Sequence, residues 1–460
     1  MTSPKKLDEM LSLADRVVAM AQKGGVTTAE CVVRHGTELS TKIRLGEVEL
    51  LEEAGTMSAG LRVMRDQRVA STSTSDLSES GIARFVADAV ELAELSQEDK
   101  FAGPADSKLL CDPKAAPDLD LFDAETDAID AKQAIGICQR AERAARDFDA
   151  RITNSEGASF GRTTGGSAIS LSNGFRATNR GSYQSLSVVP VADDENNKKR
   201  RGYYWTAKRH RADLEDPAKV GAEAARRTLR KLGARSVPTG EYPIVFDPDA
   251  ARAMLGIIAG CVMGSSIWRK SSYLIGKEGE KIAADNITIV DDPLIKRGPG
   301  SRAFDGEGLA SRKNLVVENG VLRMYLCDSY SARKLGREST GNASRGGGAG
   351  VGCSTTNFVL SPGPDSPEAI LKGTKQGLYV TDMMGFGFNA TTGDFSRGAS
   401  GFWIENGELT YPVSEVTISL SMNDFWHRID ALGNDLDFRS STVAPTMRVA
   451  RMTVAGSVGS

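Results

Sequence analysis

The chain has only three histidines for imidazole chemistry: His35, His210 and His427. A catalytic zinc takes three protein ligands and keeps a fourth position open. The common local solution puts two histidines four apart on one helix face, with a glutamate beside the bound water. Here the histidines lie far apart in sequence, and no cysteine–histidine spacing resembles a zinc site. They read as ordinary histidines, and no metal ligand or catalytic residue is assigned. His35 falls in an expected strand, and His427 comes after Phe425-Trp426 near a helix start.

Carboxylates offer a second route to metal chemistry. Asp291-Asp292 and Asp305-Gly306-Glu307 hold oxygen ligands for a hard cation, but neither matches an EF-hand. In glycine- and proline-rich surroundings they are expected to be solvated turns. Gly157-Ala158-Ser159-Phe160-Gly161 matches the G-x-S-x-G nucleophile elbow, which must sit between a strand and a helix. The segment after it, Ala168 to Leu171, is strand-like, so Ser159 is expected in a hairpin. The loop Gly346–Gly352 lacks both phosphate-cradling glycine patterns and reads as a flexible or peptide-covering loop. Just before it, Asn342 and Arg345 could bind a peptide backbone or carboxylate, since a guanidinium is a planar donor fork. They could equally pair with internal acids, and both readings stay open.

Periodicity locates the elements that would position these groups. Ser3-Pro4 starts a helix, Leu7, Met10, Leu11, Ala14, Val17, Val18 and Ala21 form its apolar face, and Gly24-Gly25 ends it. Strands are expected from Thr27 to Ala70, then a helix carrying Ile82, Phe85, Val86 and Ala89. Residues 1–97 thus form an α+β unit. Residues 98–121 read as a polar linker, and 122–233 as a central region with helices at about 123–147 and 217–233. Residues 234–460 form a mostly β C-terminal domain. Asn173-Gly174, Asn319-Gly320 and Asn406-Gly407 mark hairpins. Asp247-Pro248 caps a helix running to about Gly264. The fold class is α+β, with mixed N-terminal domains ahead of a mostly β domain with hairpins.

Composition narrows the function classes. Fifty-seven basic residues nearly balance sixty acidic ones, giving a net charge of −3, so whole-chain attraction to nucleic acid is not expected. The densest basic run, Lys198–Arg201, precedes Tyr203, Tyr204 and Trp205. Such a run can stack on bases, but Asp193, Asp194 and Glu195 beside it favour a solvated strand. Glycine is enriched, 48 residues, about 10% against a usual ~7%. No apolar stretch has the length of a signal peptide or a membrane span. Six scattered cysteines without CxxC suit reduced thiols in a cytoplasmic protein.

A set of short motifs in fixed order resembles the TldD/PmbA metallopeptidase family. In the first unit these are Arg44–Glu49 (RLGEVE), Gly60–Val63 (GLRV) and Ser73–Ser78 (STSDLS). In the second half they are Gly276–Ile282 (GKEGEKI), Val290–Asp292, Phe304–Gly308 (FDGEG), Val317–Leu322 (VENGVL), Ser339–Asn342 (STGN), Gly377–Val380 (GLYV), Gly393–Phe395 and Ile404–Leu409 (IENGEL) ahead of Tyr411-Pro412-Val413. The resemblance implies paired subunits. The TldD type carries HExxxH on a helix and a distant cysteine as zinc ligands; the PmbA (TldE) type lacks them. In this chain the corresponding helix, about 247–264, has no histidine, and the tail after Asn434 has Arg439-Ser440-Ser441-Thr442 where the cysteine would lie. The resemblance therefore implies the PmbA type: a subunit with no cofactor of its own, pairing with a TldD-like zinc subunit in a heterodimer that cleaves unfolded peptides. It also implies a link to toxin–antitoxin turnover and peptide maturation. The rival expectations are a standalone regulatory protein of the gyrase-modulator type and a hydrolase using Ser159 or an atypical metal.

Overall fold

The computed structural model describes residues 3–346 and 349–456. Gly347 and Gly348 of the glycine-rich loop lie outside the described residues. The first helix, α1 (Pro4–Lys23), starts where Ser3 accepts a hydrogen bond from the Lys6 amide and proline occupies the first helical position. The long ribbon β1 (Thr28–Arg44) and β2 (Glu47–Arg65) turns at Leu45-Gly46, both at positive φ, +54° and +89°. Then come β3 (Arg68–Thr74) and α2 (Glu79–Leu95).

Residues 98–121 carry one short 3-10 turn, Ser107–Leu109, and are strapped to the C-terminal half. Arg333 donates to the carbonyls of Phe101, Gly103 and Pro104 at 2.6, 2.9 and 3.1 Å. The single helix expected at 123–147 is two: α3 (Ala124–Asp127) and α4 (Ala131–Arg146). Asp123 caps the first, and Asp130 starts the second in a capping box with Gln133. The second N-cap, so soon after the first, forces the break.

Strands β4 (Ile152–Leu171) and β5 (Arg176–Asp193) form the next ribbon, turning at Asn173-Gly174. β4 pairs along β1, so one twisted sheet runs through both N-terminal segments in the order β3-β2-β1-β4-β5-β6, with β7 also on β5. Here β6 is Lys199–Arg201 and β7 is Tyr204–Lys208. Alternation decides the faces. Ala29, Cys31, Val33, Leu61 and Val63 bury against α1 and α2. Further along the same face, Leu39, Ile43, Ala158, Phe160 and Leu186 bury against α4 and α5 (Pro217–Leu229).

The opposite face carries Glu30, Val32, Arg34 and Arg62 and meets the C-terminal half. There β8 (Gly240–Phe246) and the strands Gln376–Met384, Asp394–Glu405, Glu408–Ser421 and Met447–Ala455 pair in a closed ring. Closure removes sheet edges. α6 (Pro248–Cys261) packs its apolar face into the same core. Asn319-Gly320 and Asn406-Gly407 turn their hairpins with both residues at positive φ.

A buried ion triad ties the two halves together. Glu30, 1% exposed, lies between Arg62, 3.1 Å away, and Arg345 from the C-terminal half. Arg345 also donates to the Gly306 carbonyl and, at 3.0 Å, to that of Ala349. Burial alone would raise the Glu30 pKa, but Arg345 and Arg62 outweigh it and hold it below 4.5. Replacing Arg345 by Met leaves that carboxylate short of its main partner. Urea unfolding should show a loss of about 3–5 kcal/mol, largely recovered when Glu30→Gln is added. A folded pKa below the unfolded one means the stabilisation is complete above about pH 4.5. It is lost as pH falls through the folded value, and the double variant should lack that acid-side loss.

Candidate functional site

α6 begins at Asp247, whose carboxylate accepts from the Ala250 amide at 2.8 Å, with Pro248 next. Its inner face, including Ala251, Met254, Leu255 and Ile258, is buried. Its outer face is open: Ala253, Gly256 and Gly260 are exposed, and a Cβ on either glycine would meet nothing within 4 Å. The first turns of this helix, through Asp249, Ala250, Arg252 and Ala253, form one wall of a cleft of about 700 Å³ at the seam between the two halves. Glu156 on β4, Arg201 on β6, Tyr203 and Lys231 line the N-terminal side. Asp382, Met384 and Arg397 line the other. A recess of about 100 Å³ continues past Tyr203 and Asp382 to Asp247 and Tyr379.

Charge in the cleft is organised around two carboxylates. Asp249, in the first turn of α6, is 7% exposed at its side chain and faces three guanidiniums: Arg252 at 3.1 Å, Arg227 at 3.5 Å and Arg439 at 3.7 Å. Arg252 and Arg439 stack on Trp205, each 5.1 Å from the ring centre, and Arg439 donates to the Trp205 carbonyl at 2.7 Å. Asp382 pairs with Lys231 at 3.0 Å and accepts from the Thr381 hydroxyl at 2.7 Å. Burial, with Asp249 and Asp382 close by, pushes Asp247 up to about 7 against the pull of the Ala250 amide and Arg227. Burial and the same three carboxylates push Tyr203 above its ordinary value, so it stays a neutral donor. Met384, 55% exposed, gives the lining apolar contact area, and Phe386, two residues on, is fully exposed. The arrangement suits an extended chain: apolar rim, hydrogen-bonding walls, charges of both signs.

A zinc ion does not fit this donor set. The open face of α6 is aliphatic carbon and backbone, and three arginines crowd Asp249. Among the described residues no group of three histidine, cysteine or acidic side chains could hold a metal. Cys31, Cys138 and Cys327 are pushed up to about 12 by burial and stay thiols.

The residues singled out in the sequence are placed apart. His35 sits on β1 opposite Met57 and Gly166, and His210 meets the Asp120 carbonyl at 3.0 Å. His427 lies in a 3-10 turn of the C-terminal half. Ser159 is mid-strand on β4, between Lys42 and Ser187, with no helix after it. The expectation of solvated acid turns is corrected. Asp291, Asp305 and Glu307 are 0%, 2% and 1% exposed. They are buried because loop amides need acceptors: Asp305 takes Glu307, Leu309 and Ala343 amides, Asp291 takes Thr356, and Glu307 takes Ser329. Asn342 joins them, donating to Asp291 at 2.7 Å and to the Ser354 carbonyl at 3.0 Å, while Arg345 is engaged by Glu30. Both side chains are thus committed internally. The basic run is ion-paired: Lys199 with Asp193, Arg200 with Asp194 and Arg201 with Glu156. Asp249, Asp382, Lys231 and Arg252 have no sequence signal beyond the helix start at Asp247-Pro248, because distant segments bring them together.

Comparison with known proteins gives a consistent picture. The PmbA/TldA metallopeptidase domain 1, central domain and C-terminal domain descriptions match residues 29–93, 124–232 and 239–456. The Escherichia coli O157:H7 protein named metalloprotease PmbA is 38% identical over 452 residues, 98% of this chain and 96% of that one. A crystal structure from Bacteroides thetaiotaomicron, described as a candidate modulator of DNA gyrase, superposes with a TM-score of 0.91 at 28% identity, covering 99% of this chain and all of that one. TldE from Thermococcus kodakarensis shares the fold, with a TM-score of 0.85 at 21% identity over 96% of this chain and 100% of its own.

Asp247 gives the cleft a pH signature. Its folded pKa, about 7, lies above the ordinary 3.8. Asp247 therefore costs nothing below about pH 4 and destabilises the fold increasingly as pH rises towards 7. Asn keeps the cap without the charge. Asp247→Asn should match the wild type in urea unfolding near pH 4 and exceed it by up to about 4 kcal/mol near pH 8.

Proposed function

Because this chain belongs to the PmbA/TldD metallopeptidase family, we propose that it is the PmbA (TldE)-type subunit of a two-subunit zinc peptidase, pairing with a TldD-like chain that carries the metal. One observation carries the reading. The solvent face of α6, where the resemblance places the zinc-binding helix, bears Ala253, Gly256 and Gly260 and no side chain able to coordinate a metal. A second supports it. The tail segment where the resemblance expects a cysteine brings the Arg439 guanidinium to within 3.7 Å of Asp249. Fixed cations there repel a dication.

In this reading the zinc of the partner supplies the activated water. This chain's residues bind and orient. The cleft takes an extended, unfolded peptide; Tyr203 donates a hydrogen bond to its backbone, Met384 and Phe386 cover its apolar side chains, and Lys231 and Arg252 meet its acids. Free buried thiols suit a cytoplasmic setting. A regulatory role is the second reading, supported by the description of the Bacteroides relative as a candidate gyrase modulator.

The purified chain, incubated alone with an unfolded peptide, is expected to give no cleavage. Adding the zinc-bearing subunit should start cleavage, and a chelator should stop it. Cleavage by the chain alone, lost in Ser159→Ala, would overturn the reading. Full cleavage by the zinc subunit without this chain would favour the regulatory one.

A further inference from the structure

The recess of about 100 Å³ that continues from the cleft is lined by the bases Arg227, Arg230 and Lys231 and the acids Glu223, Asp247 and Asp382. Most of them satisfy one another. Arg227 pairs with Glu223 at 2.8 Å and with Asp249 at 3.5 Å, and Lys231 pairs with Asp382 at 3.0 Å. Arg230 stands outside these pairs. It caps the C-terminal end of α5, is exposed, and lays its guanidinium over the Phe402 ring, 4.3 Å from the centre. Among the described residues it has no carboxylate within ion-pair distance, and its side chain makes no hydrogen bond.

Two further groups of the recess are uncommitted. The Tyr379 hydroxyl, on the strand Gln376–Met384, has no hydrogen-bond partner among the described residues. Burial, with Asp247 and Asp435 near it, pushes Tyr379 above its ordinary value, so it stays a neutral donor. Asp247 has no ion pair, and burial lifts it to about 7, so it is half neutral at that pH. A guanidinium fork and a phenol are therefore open, faced by one carboxyl of partial charge. Open donors outnumber open acceptors, and the complementary ligand is a planar anion. The volume holds about three waters at ~30 Å³ each. That is room for a carboxylate on a short stem and too little for a nucleotide or a sugar phosphate.

We propose that the recess is a carboxylate subsite of the peptide cleft, in which a carboxylate of the bound peptide, from its C-terminus or an acidic side chain, sits against Arg230 and Tyr379. Tyr203 lines both the cleft and the recess, so a chain in the cleft reaches the subsite past its ring. In the cleft itself a peptide acid competes with Asp382 for Lys231 and with Asp249 for Arg252. At Arg230 it displaces no ion pair. Phe402 is 6% exposed and holds the guanidinium plane in place before the ligand arrives. The proposal rests on the peptide-binding reading above.

The test measures short unfolded peptides against the full chain, as Kd for the chain alone and KM for its complex with the zinc-bearing subunit. The parent peptide has neutral and basic residues, one glutamate and a free C-terminus. Three others carry a C-terminal amide, glutamine in place of the glutamate, or both changes. The doubly changed peptide should bind about tenfold more weakly than the parent. The single change that reproduces the loss identifies the source of the carboxylate. Arg230→Gln should weaken the parent about tenfold and leave the doubly changed peptide within twofold. Tyr379→Phe, which removes one hydroxyl, should weaken the parent about threefold. Because Arg230 is exposed and unpaired, Arg230→Gln should keep the wild-type Tm. Equal weakening of all four peptides by Arg230→Gln, or a change under twofold for the parent, would overturn the carboxylate subsite while leaving the peptide-binding reading intact. Failure of the wild-type chain to bind any of the peptides, alone and in the complex, would overturn both.

Discussion

A carboxylate with no access to water, Glu30, is neutralised by one guanidinium from its own sheet and one from the other half of the chain. Burying a charge is tolerable only when it is paired and hydrogen-bonded, so this triad admits one way of docking the halves. Arg34 reinforces it by donating to the Arg345 carbonyl at 2.9 Å. The loops that present Arg345 are built on further buried acids: Asp305, which accepts three backbone amides, and Asp291, which accepts the Thr356 amide and the Asn342 side chain. The seam is thus fixed by paired polar groups buried from water.

α6 explains what the cleft does. Its inner face is apolar, and its outer side carries the Asp249–Arg252 pair followed by Ala253, Gly256 and Gly260. Around its first turn, arginines stacked on Trp205 and Tyr204 hold Asp249. Such a wall presents fixed charges of both signs to the cleft.

Much of the fold is legible locally. Ser3-Pro4, Asp216-Pro217 and Asp247-Pro248 start helices because a side-chain acceptor followed by a fixed φ meets the needs of a first turn. The three Asn-Gly pairs turn where expected. The break at Asp130 is hidden because α3 and α4 share one apolar period, and only the capping box with Gln133 marks it. Asp291, Asp305 and Glu307 mislead because a glycine-rich acidic turn looks the same whether water or a neighbouring loop supplies its donors. Asn342 and Arg345 read equally as ligand-binding or internal, and only the fold brings Asp291 and Glu30 to them. The cleft is invisible for the same reason: Tyr203, Lys231, Asp249 and Asp382 are separated by long stretches of chain.

The central proposal is that hydrolytic power enters from a companion chain, since α6 presents Ala253, Gly256 and Gly260 where the resemblance places zinc ligands. Anomalous X-ray scattering at the zinc edge, from crystals of the two-subunit complex, tests it most directly. The account predicts one zinc per pair, coordinated wholly by side chains of the partner. A zinc bonded to His35, His210, His427, or the acids at 291–292 or 305–307 would contradict it.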